Sequence, residues 1–433
     1  MITWKTYILI AIPLILSTIT TPILGVVDTM VIGHLSNASL IGGVAIGVTI
    51  FNTLYWLFGF LRVSTTGMVA QAFGQDNIHE QKLAFWRPLL LAIAMGLVFI
   101  ILQQVILIVA AIVMKADATV WLYAQQYFSI RIWGAPFALA MYVIVGWLIG
   151  AKQVRTTLFL QLYMNILNII LCVVFVMIFH MEIRGVAFAT VIAEITAPLI
   201  GLYLLKSRQL LAGWQKLRAE LLNKQVMQMM FRINSDFFIR TACLLTAFTL
   251  FTSIGASISV DILAANTILF QLHFVFAYFF DGLANASSIY IGNAVGSNNK
   301  QLYNQTIRIS FWWSSGLAIG LSTLFYFLGP TILASFTNIE AIYQLTLQYQ
   351  MWLVLFPLVG FWALMLSGIF SGAMMIAPIR NSHIWALISY VLTLAIFLPL
   401  WGNHGLWFAF IVFTIGRSLF LAIYQPRLAK LFV

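Results

Sequence analysis

Hydrophobic positions dominate the chain in long runs, and polar positions are largely confined to short breaks between those runs. Most runs are at least as long as the roughly 20 residues with which a helix crosses a bilayer. The predicted helices span residues 7–33, 40–72, 84–114, 120–150, 156–180, 185–206, 228–256, 260–296, 306–337, 342–374, 380–401 and 404–425. Apolar and polar residues do not alternate within the runs, as they would in the strands of a membrane barrel. The pattern predicts an all-α integral membrane protein with twelve transmembrane helices.

The second half of the chain repeats the first at a constant shift of 222 residues. The matched pairs include Gly33 with Gly255, Gly74 with Gly296, Asn77 with Asn299, Gly146 with Gly368 and Gly150 with Gly372. A shift that does not drift predicts a duplicated unit. Six helices per half is an even number, so we expect two parallel six-helix bundles, related by a pseudo-two-fold along the membrane normal. The predicted domains are an N-lobe at 1–206, a cytoplasmic linker at 207–227 and a C-lobe at 228–433.

Composition and charge support the membrane assignment and indicate the topology. Hydrophobic residues form 62% of the chain and charged residues 8%, against about 25% charged residues in soluble domains. Sixteen of the 22 Lys and Arg residues fall in the termini and the loops on one face, whereas the other face has Lys115 and Arg184. The positive-inside rule therefore predicts cytoplasmic termini. The net charge of +11 is not gathered on a soluble domain, so nucleic-acid binding is not expected.

Four segments carry motifs that point to a known family. They are Val27–Leu35 at the end of helix 1, Phe60–Gly74 in helix 2, Asn165–Ile169 in helix 5 and Asn234–Arg240 in helix 7. Together they resemble the MATE transporters, and the last three resemble the DinF subfamily. The resemblance implies a multidrug and toxic compound extrusion exporter of the bacterial cytoplasmic membrane, with a cleft between two lobes. It also implies exchange of a proton or sodium ion for an organic, often cationic, small molecule. We expect a monomer with no cofactor, no catalytic site and no metal site.

Asp28 in helix 1 is the leading candidate for ion coupling. Ionisable side chains inside a bilayer are costly and mark functional sites. Asp28 shares one stripe of its helix with Ser17 and Thr21, and its repeat equivalent is Leu250. We therefore expect an ion site in the N-lobe alone. The alternative is a structural ion pair with Arg62.

Helices 5 and 6 carry polar stripes that predict a cavity shared with Asp28. Asn165, Asn168 and Cys172 lie on one stripe of helix 5, and Thr190 and Glu194 lie one turn apart on helix 6. The alternative is that these groups only hold the two helices together through hydrogen bonds.

The identity of Cys172 favours the proton over sodium as the coupling ion. The resemblance implies a second aspartate on helix 5, where this chain has Cys172. Sodium prefers hard oxygen ligands, and a thiol replaces a carboxylate poorly. Proton coupling is therefore expected, with Glu194 as a possible second carboxylate.

In the C-lobe, Asp236 and Arg240 are spaced for a structural ion pair within helix 7. Asp281 begins a polar stripe on helix 8, which predicts either a cleft lining or a partner for Arg240 or Arg417. The candidates for the substrate cleft are Tyr55, Arg62, Tyr142, Asn165, Phe274, Tyr278 and Asp281. Aromatic faces attract organic cations.

Three other functions are open alternatives to the exporter. A lipid or glycolipid flippase, which would share the two-lobe plan, would use cavity arginines for an anionic head group. The intramembrane arginines available for this are Arg62, Arg131, Arg240 and Arg417. An intramembrane enzyme is disfavoured because the chain has no H-E-x-x-H motif, and a passive channel would not need embedded acids. We favour proton-coupled export by alternating access.

Overall fold

The computed structural model describes residues 2–33, 38–115, 117–206, 220–221 and 223–432, with the backbone alone at 20–33, 38, 206, 226 and 227. Twelve long helices follow one another in this part of the chain. They are α1 (Trp4–Gly33), α2 (Ala38–Phe58 and Phe60–Gly74), α3 (Ile78–Ile101 and Gln103–Met114), α4 (Ala118–Arg131 and Ala135–Gly150), α5 (Val154–Val173), α6 (Glu182–Lys206), α7 (Lys224–Ile258), α8 (Val260–Gly296), α9 (Lys300–Ala334), α10 (Glu340–Gly372), α11 (Ile376–Trp401) and α12 (Asn403–Ala422). A short helix, α13 (Gln425–Ala429), follows.

The predicted all-α membrane fold is confirmed. Helices α2 to α12 all include a segment long and apolar enough to cross a membrane, and α1 contains the apolar segment Trp4–Ile19. Helices α3 and α9 begin six residues earlier than predicted. The side chain of Asn77 caps α3 by accepting from the backbone N–H groups of His79 and Glu80, and the side chain of Asn299 caps α9 by accepting from that of Leu302. A polar first turn is stable because the cap satisfies its free N–H groups, so the helices extend past their apolar runs.

The internal repeat reappears as repeated packing. Gly146 of α4 lies against the backbone of Arg62 in α2, and Gly368 of α10 lies against the backbone of Ala284 in α8. Each residue of the first pair is related to its counterpart by the 222-residue shift. Small residues spaced in this way let two membrane helices approach closely. The duplicated sequence therefore folds into duplicated helix contacts.

The contacts divide the chain into two compact units. The N-terminal unit contains Ile19–Met229, and the C-terminal unit contains Met1–Thr18 with Met230–Val433. The start of α1 is fixed in the second unit because the hydroxyl of Tyr7 donates to the Leu283 carbonyl at 2.9 Å and lies 2.8 Å from the Ser287 hydroxyl. The lobes predicted at 1–206 and 228–433 differ from these compact units at residues 1–18. As a division into repeats, they stay a prediction.

Candidate functional site

A buried amide–hydroxyl pair connects α5 and α6 in the N-terminal unit. The Asn168 side chain donates to the Thr190 hydroxyl at 3.0 Å, and that hydroxyl donates to the Val186 carbonyl, also at 3.0 Å. Among the described residues, the side-chain oxygen of Asn168 is buried without a hydrogen-bond partner. Buried polar groups normally have partners. This pair therefore presents an oxygen atom with unused acceptor capacity.

Asn165 and Cys172 lie one turn to either side of Asn168 on α5. Both are buried, and the thiol of Cys172 forms no disulfide. The helix 5 stripe predicted from the sequence thus faces the protein interior. The structure brings Asn168 and Thr190 into direct contact.

Glu194 of α6 forms a buried ion pair with Arg131 of α4. Its Oε1 accepts a hydrogen bond from Arg131 Nη2 at 3.1 Å, and the side chains are only 10% (Arg131) and 9% (Glu194) exposed. Arg131 Nη1 also donates to the Tyr127 hydroxyl at 2.8 Å. Glu194 was predicted to supply a second carboxylate for the coupling ion. The pair places an arginine beside that carboxylate and neutralises it.

Aromatic rings and a break in α4 surround this ion pair. The Arg131 guanidinium carbon lies 4.7 Å from the centroid of the Phe51 ring and 5.8 Å from that of Tyr55. A 3₁₀ turn at Ile132–Gly134 follows Arg131 directly. Gly134 in this turn adjoins Glu194 Oε2, and a side chain at that position would collide with the carboxylate oxygen. The turn thus gives Glu194 the space it occupies.

The other predicted site residues of the N-terminal unit differ in how far they are buried and in whether their side chains are described. The backbone of Asp28 lies in α1, but its side chain is outside the described residues. Tyr55 is buried, and its hydroxyl lacks a hydrogen-bond partner in the described part of the chain. Tyr142 and Arg62 are partly buried. Sequence reasoning placed Arg131 inside a helix but gave it no partner, because Glu194 is 63 residues away.

In the C-terminal unit, Asp236 forms an ion pair with Arg380 of α11. The predicted partner of Asp236 was Arg240, one turn along the same helix. Arg380 also donates from Nε to the Asn381 side chain at 3.0 Å. The ion pair predicted with Arg240 stays a prediction, and Arg380 of α11 adds a partner that the spacing along α7 does not reveal.

The predicted polar stripe on α8 is present as a local hydrogen-bonded pair. The Asn285 amide donates to the Asp281 carbonyl at 2.9 Å and to its carboxylate at 3.3 Å. Phe274 and Tyr278 are partly buried on the same helix, and the Tyr278 carbonyl accepts from the Thr18 hydroxyl. Within the described residues, no cluster of three metal-ligating side chains occurs.

Comparison with known proteins gives a consistent result over both halves of the chain. Residues 13–174 and 238–396 match the MatE family model. The chain is 37% identical to the DNA damage-inducible protein F of Escherichia coli, over 95% of this chain and 90% of that protein. Two solved structures share the fold. One is a MOP superfamily transporter from Pyrococcus furiosus, with a TM-score of 0.87, 16% identity and coverage of 99% of this chain and 96% of that chain. The other is a mutant of the Vibrio cholerae MATE transporter VcmN, with a TM-score of 0.88, 18% identity and coverage of 99% and 97%.

Proposed function

The chain belongs to the MatE family of transporters, and from that membership we propose that it exports amphipathic organic compounds in exchange for protons. Export would proceed by alternating access across the bacterial cytoplasmic membrane. Organic cations are the favoured cargo, because the predicted ion site contains a carboxylate and aromatic rings attract cations.

The ion pair between Arg131 and Glu194 is the main support for the proton, and not sodium, as the coupling ion. A sodium ion needs several hard oxygen ligands, with enough negative charge to compensate for its lost water. On α5 the chain has Cys172 in place of a carboxylate, and on α6 the carboxylate of Glu194 is already neutralised. Asp28 is then the remaining acid within the six predicted membrane helices of residues 1–206. A single carboxylate suffices for a proton, since protonation removes the charge.

Asn168 and Thr190 would assist that carboxylate as neutral hydrogen-bonding groups. The free acceptor oxygen of Asn168 can accept a hydrogen bond from a protonated acid, whereas it cannot replace a second negative charge. Protonation of Asp28 would let α1 repack near Pro22 or Gly25, two residues that weaken a helix.

Substrate-dependent proton movement in proteoliposomes tests this proposal. Addition of a transported organic cation should release protons from liposomes loaded at acidic pH, and a protonophore should abolish uptake against a gradient. Substrate flux that ignores an imposed pH gradient would contradict proton-coupled exchange. Movement of a labelled lipid between leaflets, with no flux of soluble compounds, would favour the flippase alternative instead.

A further inference from the structure

The C-terminal unit contains a buried arginine that has no countercharge among the described side chains. Arg417 of α12 is 8% exposed, and its Nε has no hydrogen-bond partner within the described residues. Its guanidinium stacks over Phe413, with 5.3 Å between the guanidinium carbon and the ring centroid. Among the described side chains, no carboxylate lies within ion-pair distance of Arg417. A buried charge is costly unless it is paired.

The groups that surround Arg417 add positive charge. Arg240 of α7 is close enough for its charge to act on Arg417, and both charges act on His383 of α11. The Nδ1 of His383 lies 2.8 Å from the Ile379 carbonyl, so this nitrogen carries the proton and donates to that oxygen. A histidine ring is either neutral or positively charged, so His383 supplies no countercharge to Arg417. The carboxylate of Asp236 is engaged by Arg380.

An aromatic shell lies beside these cations. The ring of His273 lies 4.1 Å from Phe356 and 5.1 Å from both Phe270 and Phe410, centroid to centroid. The charge of Arg417 also acts on His273. Phe270 and Phe274 line a cavity of about 200 Å³, whose other lining residues include Asn266 and Gln271. The shell thus has an open, mostly apolar side.

The repeat makes this polarity specific to the second half. The run Gly185–Ala189 of α6 matches Gly405–Ala409 of α12 at a shift of 220, so Arg417 corresponds to Ala197 and Glu194 corresponds to Thr414. The N-terminal unit therefore carries a buried acid with its arginine, whereas the C-terminal unit carries an arginine and no acid at the matching place. Packing that both halves share does not explain the charge of Arg417, because the N-terminal half has no charge at the corresponding position.

We propose that Arg417 binds the acidic group of an organic anion whose apolar body occupies the cavity lined by Phe270 of the His273 shell. Arginine suits carboxylate, sulfonate and phosphate groups because its planar fork donates several hydrogen bonds. The anion supplies the countercharge that the described side chains do not provide to Arg417. This ligand site goes beyond the proposed proton-coupled export, and it would take the acidic head group of a lipid as well as a free amphipathic anion.

Binding measurements on the full-length protein test the site without any ion gradient, so their outcome is independent of whether export is proton-driven. The protein is placed in phosphatidylcholine nanodiscs and titrated calorimetrically with three probes of one shape, namely 2-naphthalenesulfonate, 2-naphthalenemethanol and 2-naphthylmethylammonium. Empty nanodiscs give the background. We expect the sulfonate to bind at least tenfold more tightly than the ammonium. Equal binding of the two charged probes would overturn the proposal.

Two matched variants assign the binding to this arginine. Arg417→Gln should weaken sulfonate binding at least tenfold, and Arg417→Lys should keep it within about threefold because a positive charge remains. The control is Arg427→Gln, since Arg427 also stacks on an aromatic ring, at 4.9 Å from Tyr424, but is exposed. It should bind as the parent does. Unchanged binding in Arg417→Gln, or an equal loss in the control, would refute the assignment.

Nanodiscs that contain phosphatidylglycerol distinguish the two sources of the anion. If a lipid head group occupies the site, this lipid should weaken sulfonate binding in the parent but not in Arg417→Gln. If the ligand is a free anion, the anionic lipid should leave the parent's affinity unchanged. Either result supports an anion site at Arg417, whereas weakening by the lipid that is the same in Arg417→Gln as in the parent would count against it.

Discussion

The guanidinium of Arg131 lies 3.1 Å from the carboxylate of Glu194, and this buried pair joins α4 to α6 beside the turn at Ile132–Gly134. At the equivalent places in the second half the chain has Leu353 and Thr414. The same fold therefore accepts uncharged residues at both positions, and the pair is a feature of the N-terminal unit alone.

Removal of one partner of this pair should destabilise the protein more than removal of both. Glu194→Gln leaves the buried charge of Arg131 uncompensated, which costs about 3–5 kcal/mol for a typical buried pair. The double variant Arg131→Leu with Glu194→Ala removes both charges and should be more stable than Glu194→Gln. Thermal unfolding in one detergent measures the difference. Additive losses in Arg131→Leu, Glu194→Ala and their double variant would show that the two side chains do not interact.

The repeated glycine contacts predict matched losses in the two units. Gly146→Ala places a Cβ 2.9 Å from that of Thr65, and Gly368→Ala places one 2.7 Å from the Ala284 carbonyl carbon. Both variants should lose about 1–3 kcal/mol, the typical cost of overpacking.

Gly316→Ala is the control for these glycine variants, because a Cβ there meets no atom within 4 Å. It should be neutral or gain up to about 1 kcal/mol, since alanine favours helix more than glycine does. Equal effects at all three positions would contradict close packing at Gly146 and Gly368.

The sequence predicted the helix contacts that the internal repeat duplicates. It did not predict ion pairs between helices, because these depend on how each helix is rotated about its own axis. The constant shift anticipated a duplicated architecture because equal sequences bury equal faces, and the Gly146 and Gly368 contacts agree with it. Spacing along one helix suggests Arg240 as a partner of Asp236, whereas it gives no sign of Arg380, which lies 144 residues away in sequence and pairs with Asp236. The sequence of one helix does not show which neighbouring helix has a charged residue on the face that contacts it.

The topology predicts opposite labelling of two exposed positions. Gln225→Cys at the start of α7 should react with a membrane-impermeant maleimide only in inside-out vesicles, whereas Lys115→Cys should react in right-side-out cells. The native Cys172 and Cys243 are buried, so they should contribute little background. Reaction of Gln225→Cys from outside intact cells would contradict cytoplasmic termini and the positive-inside assignment.

A carboxylate restored on α5 should increase the response to sodium. Cys172→Asp adds a hard oxygen ligand one turn from Asn168, and sodium is expected to stimulate export more than in the parent. The control is Cys243→Asp, which introduces the same change at a buried position in the other unit. Export is measured with a sodium gradient at fixed pH. If Cys172→Asp folds and responds no more than the control, Cys172 does not adjoin the ion site.

Proton-driven export by Asp28→Asn, measured in proteoliposomes with an imposed pH gradient and no sodium, tests the central claim most directly. Asparagine keeps the shape of the side chain but cannot take up or release a proton near neutral pH. The control is Asp117→Asn, which removes a carboxylate at the start of α4 and preserves its capping role. We predict that Asp28→Asn folds as the parent does and loses proton-driven export, while the control exports normally. Near-normal proton-driven export by Asp28→Asn would contradict coupling through this residue.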